Sequence, residues 1–361
     1  MNDQSDKIRG LILGTAVGDA LGLPAEGFGP ETISKLGWSN WKHRFVFGKG
    51  MISDDTEHTL FVCQALLCYP DNAKRFKVSL AWKLRWWLLA LPAGIGLGTL
   101  RAIIKLWLFV PLNKSGVFTA GNGPAMRSAV IGARFFDDMD RIKEYAQAST
   151  ELTHSDPRAL VGATAISYAA ALAITSMKEQ RPDVKSLFES LRSLANKEDK
   201  EWTKIIDLME QALRDEWSVT DFVMKMNLKK GVTGYIYHTV PIAIYSWLHH
   251  YGDFTFALTD VLNCGGDTDT AGAITGALAG TTVGENGIPT EWINNIVEWP
   301  RSISVLREAA DALAERDNQR LGPVKYFWPG VIIRNMFVLI IIFGHILLRL
   351  IPAKIRRYTR I

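Results

Sequence analysis

The segment Ala271-Gly272-Ala273-Ile274-Thr275-Gly276-Ala277-Leu278-Ala279-Gly280 reads as a helix built almost entirely of small residues. Small residues let a neighbouring backbone pass close by, so this helix and the turn before it belong in the middle of a packed bundle. That turn is Asn263-Cys264-Gly265-Gly266-Asp267-Thr268-Asp269-Thr270. Its two glycines permit a tight bend. Asp267 and Asp269 fall at the expected N-cap and first turn, where acids meet unpaired N–H groups and the positive end of the helix dipole. A cap needs one such acid, not Asp-x-Asp-Thr. Two close carboxylates repel unless a cation or proton lies between them, and buried between apolar helices they need a partner. A metal site is preferred over a bare cap.

A second stretch has the same grammar. Ser53-Asp54-Asp55-Thr56 precedes an apolar helix carrying Leu60, Phe61, Val62, Ala65, Leu66 and Leu67. Ser53 is a natural N-cap, and Asp54 and Asp55 fall in the first turn. Two acidic helix N-termini, remote in sequence, can face each other. Oxygen-only donors suit Mg²⁺, Mn²⁺ or Ca²⁺ rather than zinc, and this many carboxylates could hold two ions.

Residues 8–23 carry Gly10, Gly14 and Gly18 at four-residue intervals. That smooth face is expected to pack against another small-residue helix. Arg9 and Asp19 break the apolar run, so a core helix is preferred to a membrane helix. Pro24 ends it. Glu26 follows directly and either points back toward the acidic turns or is an exposed turn carboxylate.

Other segments are less specific. Residues 28–50, aromatic and glycine-rich, read as a long loop covering the site. Residues 80–112 read as two core helices around a glycine turn, because no run reaches about 18 uncharged residues. Gly121-Asn122-Gly123-Pro124 opens a helix, and its N–H groups could cradle a phosphate. His154, in Thr153-His154-Ser155-Asp156-Pro157, either contacts a ligand or caps the next helix. Residues 184–217 read as a solvated helical pair, and 234–241 lead into a helix over 242–250. Helical period dominates, and no convincing run of strands is found. The expected architecture is all-α, a compact multi-helix orthogonal bundle with an added C-terminal hydrophobic helix.

Net charge is +4, from 41 Lys and Arg against 37 Asp and Glu. That balance gives no indication of nucleic-acid binding. Cys63, Cys68 and Cys264 form no paired framework and read as reduced thiols of a cytosolic protein. The polar N-terminus carries no signal-peptide pattern.

Taken together, five motifs in order resemble the ADP-ribosylglycohydrolase family. They are Gly18-Asp19-Ala20-Leu21-Gly22 with Glu26, Ser53-Asp54-Asp55-Thr56, Gly121-Asn122-Gly123 with Met126-Arg127, Thr153-His154, and Gly265 to Thr270. The resemblance runs from about Ile8 to about Ala314. It implies an all-α hydrolase of the dinitrogenase reductase-activating glycohydrolase kind, which removes ADP-ribose from modified targets. It implies two Mg²⁺ or Mn²⁺ ions held by Ser53, Asp54 and Asp55 from one side and Asp267, Asp269 and Thr270 from the other. Family members usually have Thr where Ser53 stands. Glu26 and Asp55 would handle protons. Thr119, Gly121, Asn122 and Gly123 would contact the diphosphate and ribose, and His154 the ligand. The expected partner is an ADP-ribosylated protein or small molecule, with arginine as the first acceptor. A monomer is expected. A non-catalytic ADP-ribose or metal-binding protein and a di-metal phosphohydrolase are the other readings.

The resemblance leaves out the C-terminus. The catalytic domain is expected over 1–322 and a hydrophobic helix with basic tail over 323–361. Gly330 to Ile351 are 22 residues between Pro329 and Pro352, about 33 Å as helix. Lys354, Arg356, Arg357 and Arg360 follow. This reads as an anchor holding a cytoplasmic domain to the inner face of a membrane. Arg334, Asn335, His345 and Arg349 share one helical face, which suggests an in-plane helix or a span paired along one side. Arg334 and Arg349 could snorkel. A terminal helix docked on the domain is the alternative.

Overall fold

The computed structural model describes residues 3–196, 198–315 and 322–350, with side chains up to 344 in the last helix. The chain is 66% helical, and no strand is present among the described residues. Isolated bridges pin loops together, among them Val232 with Gly266 and Gly121 with Tyr235. The all-α expectation holds.

The helices in order are α1 (Asp3–Gly22), α2 (Pro30–Lys35), α3 (Asp54–Cys68), α4 (Ala73–Leu89), α5 (Leu97–Trp107) and α6 (Gly123–Met126). Then come α7 (Ala129–Arg134), α8 (Met139–Thr150), α9 (Pro157–Thr175), α10 (Val184–Leu194), α11 (Lys200–Arg214) and α12 (Val219–Lys225). The last six are α13 (Ile236–His249), α14 (Phe254–Asn263), α15 (Thr268–Val283), α16 (Thr290–Asn294), α17 (Ile303–Ala314) and α18 (Pro329–Leu350).

The fold is assembled on α1 and α15, which make the most extensive helix–helix contact in the molecule. They run antiparallel, and glycine meets glycine along the seam: Gly10 with Gly280, Gly14 with Gly276, Gly18 with Gly272. A Cβ on Gly14 would lie 2.9 Å from the carbonyl carbon of Gly276 and closer still to its oxygen. No side chain fits there, so the glycines are what lets the two backbones meet. Helices α3, α9, α13, α14 and α17 pack around the pair. Among the described residues two helices are apolar and long enough to cross a membrane, Asp3–Ala25 and Pro157–Thr175; they are 83% and 78% buried and belong to the core.

Three expectations are corrected. Residues 80–112 do form two helices about a turn, but only one side of each is core: Val78, Trp82, Trp86 and Leu89 of α4 and Leu97, Ile104 and Leu108 beside them are exposed. Helix α13 begins at Ile236 rather than 242 and carries Pro241 inside it. Arg334 does not snorkel. It is buried, with Nη2 donating to Glu298 Oε2 at 2.8 Å and to the Ile52 carbonyl, while Asn335 Nδ2 donates to the Ala90 carbonyl at 2.8 Å. The first half of α18 is therefore docked on the domain. The side chains of His345 and Arg349, and the tail residues Lys354, Arg356, Arg357 and Arg360, lie outside the described residues.

Candidate active site

The two acidic turns meet. Ser53 caps α3, its hydroxyl accepting from the Asp55 N–H at 3.3 Å. Asp267 occupies the N-cap of α15 without using its side chain there. Its Oδ2 instead accepts from Asn122 Nδ2 at 2.7 Å. Between the two helix starts, Thr270 Oγ1 donates to Asp55 Oδ2 at 3.3 Å. A cleft of about 590 Å³ opens over this junction. Glu26, Asp54, Asp55, Thr119, Gly121, Asn122, Gly123, His154, Asp267, Asp269 and Thr270 all line it. Ser53 does not; its hydroxyl donates to Asp55 Oδ2 at 3.3 Å.

The glycine turn is held in place from two sides. Gly266 N–H donates to the Phe28 carbonyl at 2.7 Å, Gly27 N–H returns a bond to Gly266 at 2.8 Å, and Asp267 N–H donates to Val232 at 2.8 Å. Gly265 and Gly266 sit at φ +68° and +89°, where side chains are strained. A Cβ on Gly265 would also meet Pro30 N at 2.9 Å.

Electrostatically the cleft is under tension. Burial, then Asp54, Asp19 and Asp267, push the Asp55 carboxyl well above its ordinary range. Burial, then Asp267, Glu26 and Asp55, do the same to Asp269. Burial, then Asp19 and Glu57, raise Asp54. Asp55 Oδ1 is buried with no hydrogen-bond partner among the described residues. An orphaned carboxylate oxygen among repelling carboxylates is the arrangement a cation relieves. Among the described residues no three His, Cys, Asp or Glu side chains draw together tightly enough to chelate one ion. The donor set, which includes the Ser53 and Thr270 hydroxyls, is all oxygen, and it fits hard divalent cations.

His154 stands at the far wall. Its Nδ1 lies 2.8 Å from Thr153 Oγ1. Burial and then Arg127 lower its pKa to about 3, so the ring is neutral. It nests against Gly121 and Gly123, where a Cβ would lie 3.0 and 3.3 Å from it. Asp156, not His154, caps α9.

The covering-loop expectation is corrected: among the described residues the cleft takes Gly27 but nothing from 28–50. Trp41 is buried and donates to Asn263 Oδ1 at 2.9 Å, and Phe45 packs with Met51 and Val338. The rim is made instead by Gly94 to Thr99 and Lys230 to Gly234.

Sequence reasoning assigned no role to three positioning residues, although Asp19 and Arg127 stand within the motifs that carry the resemblance. Asp19, fully buried in α1, accepts from Ser53 N at 2.9 Å, Thr56 N at 3.2 Å and Thr56 Oγ1 at 2.5 Å. Burial raises it to about 6, with the bonds from Thr56 and Ser53 opposing. Glu57 accepts from Trp87 Nε1 and from Arg301. Arg127, buried, donates to the Gly123 carbonyl at 3.1 Å and Thr153 Oγ1 at 2.8 Å, tying the Asn122 loop to the His154 loop. An Asp inside an otherwise small, apolar helix was the available signal for Asp19.

The chain is similar to known proteins along most of its length. The ADP-ribosylglycohydrolase family model matches residues 1–322. An uncharacterized protein of Archaeoglobus fulgidus is 31% identical over 303 residues, 81% of this chain and 92% of its own. The ADP-ribosyl-[dinitrogen reductase] glycohydrolase of Rhodospirillum rubrum is 27% identical over 333 residues, 86% of this chain and 98% of its own. The ADP-ribosylhydrolase ARH3 of Gallus gallus is 27% identical over 342 residues, 79% of this chain and 88% of its own. A solved ADP-ribosylglycohydrolase-related protein complex shares the fold, with TM-score 0.59 and 23% identity over 88% of this chain and all of that one. The chain belongs to the ADP-ribosylglycohydrolase family, hydrolases of ADP-ribose linkages.

Proposed function

We propose that this protein hydrolyses the glycosidic bond between ADP-ribose and an acceptor, using two Mg²⁺ or Mn²⁺ ions. The observation that carries the reading is the meeting of two remote acidic helix starts in one cleft, through Thr270 and Asp55. A volume near 590 Å³ falls within the roughly 300–1,000 Å³ of ligand pockets. Ser53, Asp54 and Asp55 would hold the ions from α3, and Asp267, Asp269 and Thr270 from α15. Bound there, the ions supply Lewis-acid polarisation of sugar hydroxyls and neutralise the carboxylate cluster.

The chain's own groups have separable tasks. As the glycosidic bond breaks, positive charge grows on the anomeric carbon, and the surrounding carboxylates stabilise it. Glu26, at the exposed rim, and Asp55, at the buried floor, are the proton-handling groups. Asn122, oriented by Asp267 and by a 3.0 Å bond to Thr239 Oγ1, presents its loop with Thr119, Gly121 and Gly123 to the diphosphate and ribose. Neutral His154 offers a hydrogen bond rather than a charge.

Glu26, exposed at the rim and outside the ion-holding set, favours a cationic acceptor, which supports ADP-ribosyl-arginine on a protein or small molecule. The test is a release assay with and without Mg²⁺ on ADP-ribosylated arginine, serine, nucleic-acid and small-molecule substrates. Metal-dependent appearance of free ADP-ribose and unmodified arginine is expected. Cleavage within the diphosphate, or binding without turnover, would overturn the reading. We further propose that the protein is a cytoplasmic monomer held at the inner face of a membrane by α18 and the basic tail.

A further inference from the structure

Two segments that carry no acid come together on one side of the molecule. No Asp or Glu occurs between Asp71 and Asp137, and none follows Asp317. The fold brings these two segments together. Trp86 of α4 meets Trp107 of α5 at 6.0 Å and Trp328, just before α18, at 5.7 Å. Asn335 of α18 bonds the carbonyl of Ala90 at the end of α4, and Ala93 of the α4–α5 turn packs against the cluster of Phe45, Met51 and Val338.

Each of the three helices leaves an apolar row exposed. On α4 it is Val78, Trp82, Trp86 and Leu89; along α5 it is Leu97, Ile104 and Leu108; on α18 it is Ile333, Met336, Phe337, Ile340 and Phe343. The opposite row of α18 (Val331, Arg334, Asn335 and Val338) is buried in the domain. Helix α18 therefore lies along the surface here. Between α4 and Tyr326–Trp328 runs a groove of about 780 Å³. Aromatic rings dominate it, and its charged lining residues are Arg75, Lys83 and Arg301, of which Arg301 is buried and paired with Glu57.

Soluble monomers seldom expose contiguous apolar patches beyond a few hundred Å². Tryptophans beside cations, without acids, match the headgroup region of a bilayer with anionic lipid, which a protein surface bearing both charge signs does not. We propose that the face made by α4, α5 and α18 seats in the plane of an anionic phospholipid bilayer, with the Trp82–Trp86–Trp328 groove receiving an anionic lipid. This extends the attachment proposed for α18 to a second, independent pair of helices. Leu97 belongs to the exposed row and also lines the catalytic cleft, so the cleft opens at the edge of the seated face.

The test is flotation of the full chain with vesicles of phosphatidylcholine alone and of phosphatidylcholine with phosphatidylserine. Ile104→Glu/Leu108→Glu on α5 and Ile340→Glu/Phe343→Glu on α18 are compared with wild type. Wild type should float with the phosphatidylserine vesicles, less so as salt rises, and each double variant should bind at least roughly tenfold more weakly. Brominated acyl chains should quench wild-type tryptophan fluorescence, a readout that needs no variant to fold. Unchanged binding of the α5 variant, with release of the α18 variant, would overturn the seated face and leave α18 attachment standing. Absence of binding to anionic vesicles would overturn both. A wild-type dimer split by the α5 substitutions would make the face a contact between copies and end the proposal.

Discussion

Thr270 donates its hydroxyl hydrogen to the carboxylate of Asp55 at 3.3 Å, joining the first turns of α3 and α15 across 215 positions of sequence. The bond satisfies one oxygen of Asp55 and leaves Oδ1 buried without a partner among the described residues. The proposed metal dependence, and instability without the ions, are the expected consequences of that half-satisfied carboxylate.

Asp55→Ala and Asp269→Ala should each abolish release of ADP-ribose while far-UV circular dichroism keeps its helical signal. Wild-type cleavage by either variant would end the proposed mechanism.

The carboxylate repulsion should also be visible without substrate. In chelator, Asp269→Asn should melt higher than wild type, by roughly 1–2 °C for each kcal/mol of repulsion removed. Adding Mg²⁺ should raise the wild-type midpoint and leave that of the variant nearly still. Equal Mg²⁺ shifts in both would separate the ions from Asp269.

The glycine seam makes a packing prediction. Gly14→Ala or Gly276→Ala forces a methyl into the carbonyl of the facing helix. Overpacking of this kind costs about 1–3 kcal/mol, and here the obstacle is backbone, so the upper end is expected. Urea midpoints measure it.

Arg334 joins α18 to the domain by an ion pair whose side chains are 7% and 2% exposed. Arg334→Ala should cost about 3–5 kcal/mol, because Glu298 is left buried and unpaired. Arg334→Met combined with Glu298→Gln should recover most of it. A single variant as stable as wild type would show that the docked half of α18 contributes little.

His154 ties stability to pH. Its folded pKa is about 3 against an ordinary 6.5, so on acidification the unfolded chain takes the proton first. The stability it contributes is fully present above pH 6.5 and is lost as pH falls from 6.5 through 3. His154→Gln should flatten that part of the melting-temperature profile. The share from His58, also held well below its usual value by burial and then Arg127, should remain.

The sequence by itself determined the helical class, the small-residue seam and the two acidic turns. Glycines every four residues and acids after a glycine bend are local signals, and each has few structural uses. Only the tertiary structure decided that Asp19 braces the Ser53 turn, that Arg127 ties two loops together, and that residues 28–50 stay out of the cleft. Those roles depend on which backbone arrives opposite a side chain, and spacing along the chain carries no information about that. The same holds for Trp82, Trp86 and Ile104. Their helical period is that of a core face, and among the described residues no helix packs over them, which leaves them on the surface.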